Sequence, residues 1–282
     1  MSKLQRLRDN IEALQHAMTS TSEYDSEILG KYTGFGGMTF VLNPLEPTAW
    51  SKSEREYQAW VESLKASTLT AYYTPEVFVK ELMLAVYKKF EPRVVLDPAA
   101  GNGVFLEYMS WLSSRIYPYY EPTAYEKDLL TGLILERKKG RKERIRVKGF
   151  ETIPASELGR YDLVSTNIPF GDIRVFDPDY TNSKSQVRRD AARMIHRYYV
   201  LKGLDCLREG GVLAYIITSN YLNRDGEQLG EALKQARLIG AYRLANNLFK
   251  ESGTEVGTDL LVMQKDSKRG PLTEEETMLL TQ

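Results

Sequence analysis

The stretch Val94-Val95-Leu96-Asp97-Pro98-Ala99-Ala100-Gly101-Asn102-Gly103 decides the fold class of this chain of 282 residues. Its apolar first half predicts a short buried strand that ends at Asp97. Gly101 and Gly103 let the backbone adopt positive φ angles and pass close to a ligand. A helix is predicted from about Gly103, and the N–H groups of its first turn suit a carboxylate. Ligands bind beyond the carboxyl ends of the strands in open α/β sheets, and Asp97 lies at such an end.

The apolar runs around this stretch alternate between strand and helix patterns. Helices are predicted between and before the strands, and the helix that begins near Thr74-Pro75-Glu76 is expected to be capped there. This alternation predicts an α/β fold with a mostly parallel seven-stranded sheet and helices on both faces. The predicted strands are residues 93–97, 122–126, 144–149, 161–166, 211–218, 238–244 and 259–264, and the predicted helices are residues 75–89, 103–115, 127–138 and 188–208.

The flanks of this α/β region have a different pattern. Residues 1–66 are predicted as a small helical N-terminal extension, with helical spacing over residues 1–30 and 54–65. Between these helices, Gly34-Phe35-Gly36-Gly37 matches neither a P-loop nor a dinucleotide fingerprint, so a flexible connector is favoured over a phosphate-binding loop. Residues 67–265 are predicted as the main domain, and residues 266–282 as a polar, loosely held tail.

Composition excludes several classes of protein. The chain is 42% hydrophobic and 27% charged, as in soluble globular proteins, and no apolar stretch reaches the length of a membrane span. The first residues lack a signal-peptide core. The single cysteine, Cys206, excludes an internal disulfide framework, suits a reducing cytoplasm and is predicted to be buried on a helix, as is the pair Tyr198-Tyr199. With only two histidines, His16 and His196, no zinc or other metal site is expected.

The charge is balanced overall but uneven along the chain. The formal net charge is zero, which argues weakly against tight nucleic-acid binding. Two basic runs, residues 137–148 and 184–197, are nevertheless candidates for phosphate contacts. A solvated surface explains the first run equally well. Contact with phosphate is favoured for the second run, because it follows the segment described next.

A second informative segment, Asn167-Ile168-Pro169-Phe170, comes directly after the predicted strand at residues 161–166. The side-chain oxygen of Asn167 and the backbone carbonyl of Ile168 can both accept hydrogen bonds from one NH₂ group. Pro169 restricts the backbone on both sides of its peptide bond, and Phe170 offers a flat face for a planar base. These four residues therefore suit a site for a planar amine, although taken alone they also suit an ordinary turn after a strand.

The two segments in this order resemble DNA methyltransferases that use S-adenosylmethionine, in particular the adenine-N6 family with the motif (Asn/Asp/Ser)-Pro-Pro-(Tyr/Phe). The resemblance covers about residues 70–265 and implies a Rossmann-like class I methyltransferase domain. The variant Asn-Ile-Pro-Phe-Gly-Asp at residues 167–172, together with the segments near residue 35 and at residues 254–259, also resembles methylase domains of mobile-element proteins, some of them fused to helicases.

The resemblance implies a cofactor site for S-adenosylmethionine. The turn that contains Asp97, Ala99, Gly101 and Gly103 would hold the methionine part of the cofactor. Glu126, at the end of the second strand, would accept the ribose hydroxyls. Glu151 is the candidate for the adenine amino group, one position later than the usual family acid. Closure over the methionine end is expected from Tyr73, Thr74 and Pro75.

The resemblance also implies the chemistry. An adenine would be flipped out of the duplex and stacked on Phe170, while Asn167 and the Ile168 carbonyl accept the hydrogens of its N6 amine. Ile168 replaces the first proline of the motif, so some rigidity is lost while the carbonyl is kept. Most of the rate would come from positioning and electrostatic preorganisation. The loop at residues 171–186 is expected to order over DNA.

Two other functions fit the same residues. A methyltransferase that acts on a glutamine side-chain amide in protein holds an amide in the same way. A non-catalytic remnant of a mobile-element methylase would bind cofactor or DNA without transferring a methyl group. Cytosine N4 is an equally suitable amine for the pocket. No target-recognition domain is evident, so sequence specificity either comes from a partner, such as a specificity or helicase subunit, or is weak.

Overall fold

A seven-stranded sheet forms the centre of the computed structural model, which describes residues 2–19, 26–38, 53–116, 122–138, 144–249 and 256–281. The order of the strands across the sheet is β3-β2-β1-β4-β5-β7-β6. Within the described ranges, no helix is both long and apolar enough to cross a membrane. The strands are β1 (Val95–Asp97), β2 (Thr123–Tyr125), β3 (Arg144–Arg146), β4 (Tyr161–Asn167), β5 (Leu207–Thr218), β6 (Ala236–Arg243) and β7 (Thr258–Lys265).

The sheet is mixed rather than purely parallel. Strands β3, β2, β1, β4 and β5 pair in parallel, and β7 is antiparallel to both of its neighbours, β5 and β6. The predicted α/β fold is therefore confirmed, with one strand reversed. The hydrophobic pattern of a strand does not depend on its direction, so the reversal of β7 could not be predicted from the pattern.

Helices cover both faces of the sheet, as predicted. Neighbouring residues of β4 show the two faces, since Leu163 packs in one apolar cluster with α4 and α5, whereas Val164 packs in the other with α9 and α11. The helices within the described ranges are α1 (Lys3–Thr19), α2 (Ser26–Gly30), α3 (Glu54–Thr70), α4 (Glu76–Phe90), α5 (Val104–Ile116), α6 (Leu129–Lys138), α7 (Pro178–Thr181), α8 (Gln186–Ala191), α9 (Ile195–Cys206), α10 (Asn220–Arg224), α11 (Gly226–Leu233) and α12 (Glu274–Leu280).

Several predicted bounds differ from the observed ones. The predicted helix at residues 188–208 is two helices, α8 and α9, because the chain breaks where the Ala192 carbonyl accepts a hydrogen bond from Val175 N, at 2.8 Å. Strand β5 begins at Leu207, earlier than predicted, and β3 has only three residues. The burial of Cys206 and of the Tyr198-Tyr199 pair on α9 is confirmed.

The N-terminal residues pack against the sheet domain through a third apolar cluster. Ala13 and Leu14 of α1 lie together with Tyr32, Phe35 and residues of α6 in this cluster. The predicted flexible connector at residues 34–37 is therefore wrong, since Phe35 is 1% exposed and Gly37 N donates to Thr68 O at 2.9 Å. Helix α3 runs through residue 66, where the predicted domain boundary falls, and that boundary stays a prediction.

The second basic run has mostly internal partners, and its contact with phosphate stays a prediction. Arg188 donates to both oxygens of Asp205, at 2.7 and 2.8 Å, and Arg197 pairs with Asp225 at 2.5 Å. The guanidinium of Arg189 is held by Ser183 and Gln186. These arginines join α8 and α9 to the fold. In the first basic run, residues 139–143 lie outside the described residues.

The C-terminal residues form a packed helix instead of a loose tail. Thr273 and Glu276 form a reciprocal capping box at the start of α12. The buried Glu276 carboxylate also accepts hydrogen bonds from Leu238 N of β6, at 2.9 Å, and from Arg269, at 2.8 and 2.5 Å. One carboxylate thus ties the end of the described chain to the edge strand of the sheet.

Replacing Glu276 tests how much these hydrogen bonds stabilise the fold. Arg269 holds the pKa of the Glu276 carboxyl down at about 2. We expect Glu276→Gln to lower the free energy of unfolding at pH 7 by about 2 kcal/mol, because charge-assisted hydrogen bonds are lost. The wild-type advantage is fully present above about pH 4.5 and is lost as the pH falls towards 2, since the unfolded state then binds the proton more readily. Urea unfolding at pH 7 and pH 3.5 measures both effects.

The matched control is Glu274→Gln, since Glu274 is exposed in the first turn of the same helix. We expect this variant to resemble the wild type at both pH values. An equal loss for the two variants, or a loss for Glu276→Gln that does not change with pH, would contradict the role of the buried carboxylate.

Candidate active site

The turn after β1 forms the first wall of the site. Asp97 is fully buried at the end of β1, where its Oδ1 accepts a hydrogen bond from Ala99 N at 3.2 Å. Its Oδ2 has no hydrogen-bond partner among the described residues, and burial raises the pKa of this carboxyl to about 7. Gly101 and Gly103 have φ angles of 55° and 88°, which favour glycine and explain both positions.

Glu126 joins the ends of the first two strands. One oxygen of its carboxylate accepts a hydrogen bond from Gly101 N and the other accepts from Asp128 N, both at 2.7 Å. Burial, together with the neighbouring carboxylates of Asp128 and Asp97, raises the pKa of Glu126 to about 8. The carboxyl group is therefore fixed in place, but its raised pKa favours the protonated form in the protein alone.

The end of the third strand contributes a second acid. Glu151 lies in a 3-10 turn, Phe150–Thr152, and its carboxylate pairs with Lys127 Nζ at 2.7 Å. Lys127 directly follows Glu126, so the ends of β2 and β3 are linked by this ion pair. The Phe150 ring packs beneath the turn against Tyr199, with ring centroids 5.1 Å apart.

Tyr73 forms the roof over the β1 turn. A Cβ atom on Gly34 or on Gly101 would lie 2.6 Å from the Tyr73 ring, so both glycines are required by the close approach of this ring. The Tyr73 hydroxyl lies 3.3 Å from Thr131 Oγ1. Gly34 also has a φ angle of 70°, which favours glycine for a second reason.

The N-terminal residues hold Gly34 in this position. Asn10 Nδ2 of α1 donates to the Gly34 carbonyl at 2.7 Å, and Asn10 Oδ1 accepts from Thr33 N at 2.8 Å. Helix α3 supplies Ser63, whose hydroxyl donates to Asp128 Oδ1 at 2.5 Å. Residues predicted as an extension therefore form part of the wall next to Glu126.

The Thr74 side chain does not cap helix α4 as predicted. Helix α4 begins at Glu76 with Pro75 as its N-cap residue, and no side chain caps it. The buried Thr74 Oγ1 has no hydrogen-bond partner in the described part of the chain. Because it is not used in capping, this hydroxyl is available at the wall of the cavity described below.

Asn167 ends β4 with its amide in a defined orientation. Its Nδ2 donates to the Tyr72 carbonyl at 2.9 Å, which leaves its Oδ1 buried and without a hydrogen-bond partner among the described residues. Ile168 N donates to Ile216 O at 3.0 Å, and the Ile168 side chain is 1% exposed. No described residue donates a hydrogen bond to the Ile168 carbonyl. Two consecutive acceptors thus remain unused at this point.

The ring of Phe170 is more enclosed than a stacking platform requires. Phe170 is 8% exposed, with Tyr72 stacked on one side at a centroid distance of 6.1 Å and Phe249 edge-on at 5.3 Å. A base that stacks on Phe170 would therefore have to displace Tyr72 or contact the remaining edge of the ring.

These segments enclose a cavity of about 520 Å³, a size typical of small-molecule sites. It extends from the β1 turn, past the ends of β2 and β3, to the end of β4. Tyr73, Thr74, Ala99, Gly101, Glu126, Glu151, Asn167 and Pro169 line it, as the sequence predicted for a shared site. The other predicted residues do not line it: Asp97, Gly103, Ile168 and Phe170 are buried next to lining residues in the chain, whereas Pro75 is exposed.

Other lining residues were missed by the sequence reasoning. Asn102 lies between the two predicted glycines, and Asp128 lies two residues after Glu126, so proximity to a motif could have identified both. Asn102 Oδ1 is a further buried oxygen for which the described residues supply no hydrogen-bond partner. Ser63 of α3 and Arg174 of the loop after β4 have no such local signal, because only the fold brings them to the cavity.

A sequence model of the family described as N-6 DNA methylase matches residues 60–281. This match covers most of the chain, including every segment that lines the cavity after residue 60. The chain belongs to the N-6 DNA methylase family. No curated protein sequence matches this N-6 DNA methylase family member.

Solved structures share the fold at low sequence identity. A Listeria monocytogenes protein described as a class I S-adenosylmethionine-dependent methyltransferase has a TM-score of 0.60 at 15% identity, over 94% of this chain and 81% of its own. The methyltransferase subunit of a type I restriction–modification system from Streptococcus thermophilus has a TM-score of 0.58 at 15% identity, over 84% of this chain and 58% of its own. The M protein of the type I restriction enzyme EcoKI has a TM-score of 0.51 at 17% identity, over 92% of this chain and 60% of its own. The N-6 DNA methylase family member thus spans somewhat over half of both subunits.

The packing of Tyr73 between two glycines can be tested by adding one methyl group. We expect Gly34→Ala and Gly101→Ala each to lower the free energy of unfolding by about 1–2 kcal/mol from the positive φ angle and by about 1–3 kcal/mol more from the contact with Tyr73. Gly159→Ala is the matched control, because Gly159 has a φ of 69° and open space around its Cβ position. Urea unfolding of the three variants measures the difference. Equal losses in all three would contradict the contact.

Proposed function

We propose that this member of the N-6 DNA methylase family transfers the methyl group of S-adenosylmethionine to the exocyclic N6 amine of adenine in DNA. The observation that carries the proposal is the buried Asn167 Oδ1, which lacks a hydrogen-bond partner in the described structure and lies at the end of β4 beside the cavity. A buried acceptor without a partner is unfavourable unless a ligand supplies the donor.

The orientation of the Asn167 amide supports an amine as that donor. Because Nδ2 is engaged by the Tyr72 carbonyl, the oxygen rather than the nitrogen faces the open position. The carbonyl of Ile168 is the next acceptor along the chain. A group with two hydrogens on one nitrogen would satisfy both oxygens at once, and the exocyclic amine of adenine is such a group.

Ile168 is compatible with this role although the family motif has proline there. Its backbone N–H, which proline lacks, donates to Ile216 O, and its side chain is buried in the apolar core. The hydrogen bond and the packing restrict the backbone at this position, as proline would do through its ring. The second acceptor is therefore held in place by tertiary contacts.

The other end of the cavity suits the cofactor. Thr74 Oγ1 and Asn102 Oδ1 are buried cavity-lining oxygens that none of the described residues engages, and the Glu126 carboxylate has remaining lone pairs for ribose hydroxyls. Glu151 also lines the cavity, and we propose that it accepts the adenine amine of the cofactor. S-adenosylmethionine bound there would supply an electrophilic methyl group on a positively charged sulfur.

The reaction needs little acid–base chemistry from the protein. An adenine flipped out of the duplex would place N6 against Asn167 Oδ1 and the Ile168 carbonyl, which would accept hydrogen bonds from its two hydrogens and expose the nitrogen lone pair. As the nitrogen gained the methyl group and the bond from that group to sulfur broke, the nitrogen would release one proton to solvent. Arg174 and Pro169 would border the base at the mouth of the cavity. Rate acceleration then comes from holding the nitrogen in line with the methyl group and from the two fixed oxygen dipoles.

DNA is the proposed macromolecular partner, and a further subunit for target recognition is proposed as well. Two of the structural neighbours are methyltransferase subunits of type I restriction–modification systems, in which the methyltransferase is one part of a larger system. We propose that a specificity or helicase partner selects the target sequence for this chain.

The variant Asn167→Ala tests the amine site. Incubation with labelled S-adenosylmethionine and unmodified DNA, followed by nucleoside analysis, is expected to yield N6-methyladenine with the wild type. The rate with Asn167→Ala should fall at least about 100-fold, as when one preorganised hydrogen-bonding group is removed from a transition state. S-adenosylmethionine binding by calorimetry should stay within about twofold of wild type. Asn167→Asp keeps an acceptor but loses the Nδ2 donor to Tyr72, so we expect an intermediate rate.

The same assay separates the other functions. N4-methylcytosine as the product would show that the substrate is cytosine instead of adenine. Labelled glutamine in a peptide substrate would show that the enzyme methylates protein. Binding of S-adenosylmethionine without transfer to any DNA would support the non-catalytic remnant. A wild-type rate for Asn167→Ala would contradict the assigned amine site.

The pKa of Glu126 predicts how cofactor binding depends on pH. Its value of about 8 in the protein alone means that the carboxyl is mostly protonated at pH 6.5. If the ionised form accepts the ribose hydroxyls, S-adenosylmethionine affinity should rise roughly tenfold per pH unit below pH 8 and level off above it. Calorimetry at pH 6.5, 7.5 and 9 measures this rise. Glu126→Gln should bind weakly at every pH, whereas a pH-independent wild-type affinity would contradict the role of Glu126.

A further inference from the structure

The loop that follows the amine site lines the cavity and then exposes an aromatic ring to solvent. Three consecutive loop residues, Ile173, Arg174 and Val175, line the cavity. Phe176, the next residue, is 78% exposed. Among the described residues it is the most exposed large hydrophobic side chain. Exposed aromatic rings beside a binding site are candidates for contacts with a partner.

The loop is held rigidly on both sides of this ring. Val175 is buried, and its N–H donates to the Ala192 carbonyl at 2.8 Å. Asp177 is 2% exposed and accepts hydrogen bonds from Tyr198 Oη, at 2.7 Å, and from Lys202 Nζ, at 2.9 Å. The backbone of Phe176 is thus fixed between two buried neighbours, so the exposure of its ring is imposed by the fold.

The charge near the ring is mixed. Arg174 is exposed and forms no ion pair with any described residue, and Asp172 is exposed two residues earlier. The loop therefore has little net charge at its tip, and the aromatic surface of Phe176 is its main distinguishing chemistry. A flat apolar ring suits the face of a nucleic-acid base better than it suits a phosphate group.

We infer that Phe176 inserts into the base stack of the DNA duplex next to the flipped-out adenine. Phe176 has this role only if the chain methylates adenine in DNA, as proposed above. Flipping leaves a gap in the stack and costs unstacking free energy, and an apolar ring that enters the duplex offsets part of that cost. The position of Phe176, one residue beyond the cavity wall, suits a ring that acts where the base leaves the duplex.

The test compares two duplexes that differ only in pairing of the target. DNA sites methylated by the wild type are located by sequencing, and one such site is synthesised as two duplexes. In the first duplex the target adenine is paired to thymine, and in the second it lies opposite an abasic position. Phe176→Ala should methylate and bind the paired duplex at least about tenfold less well than wild type. The loss should fall below about threefold on the abasic-opposed duplex, because that adenine is already unpaired. Phe176→Trp should retain activity.

Two controls separate this role from general effects. Tyr242→Ala removes another exposed aromatic ring, 59% exposed on the edge strand β6, and should behave as wild type on both duplexes. S-adenosylmethionine binding should be the same in wild type, Phe176→Ala and Tyr242→Ala. Equal activity of Phe176→Ala and Tyr242→Ala, or an equal loss on the paired and abasic-opposed duplexes, would overturn the insertion of Phe176. Absence of DNA methylation by the wild type would overturn the proposed function together with it.

Discussion

The Tyr73 ring lies so close to Gly34 and Gly101 that neither position has room for a Cβ atom, and the site is built around this contact. Gly101 belongs to the turn after β1, whereas Gly34 belongs to the N-terminal residues. The ring therefore joins two distant parts of the chain above the cavity. Gly101 N also donates to Glu126, so the same turn fixes the carboxylate at the end of β2. A shift of the ring would move both walls of the cavity.

Several buried polar atoms that line this cavity have no hydrogen-bond partner among the described residues. Buried oxygens of Thr74, Asn102 and Asn167 have no partner among the described residues, although the protein elsewhere pairs its buried charges closely, as Lys202 does with Asp177. Burial also raises the pKa values of Asp97 and Glu126. A buried acceptor without a partner is unfavourable, and carboxyl groups with raised pKa values are frequent at functional sites.

The sequence predicted more of the cofactor side of the site than of its surroundings. The β1 turn and Glu126 were identified from residues close together in sequence, because strand ends of a parallel sheet meet at one edge. The role of α1 and α3 was not predicted, since Asn10 and Ser63 reach the site only through tertiary packing. The internal pairing of the basic run at residues 184–197 was not predicted for the same reason. Its carboxylate partners, Asp205 and Asp225, follow later in the chain and gave no local signal.

The sequence by itself determined the α/β class and the order of the strands along the chain, and it identified the residues of the proposed amine site, because these depend on local hydrophobic periodicity and on motif chemistry. Only the tertiary structure decided the reversal of β7, the orientation of the Asn167 amide and the enclosure of Phe170 by Tyr72 and Phe249. Each of these is a contact between segments far apart in the chain, and such contacts are set by how the packed elements share space. The tetrapeptide predicts an amine site, and the fold decides that the Asn167 oxygen, and not its nitrogen, is left without a partner among the described residues.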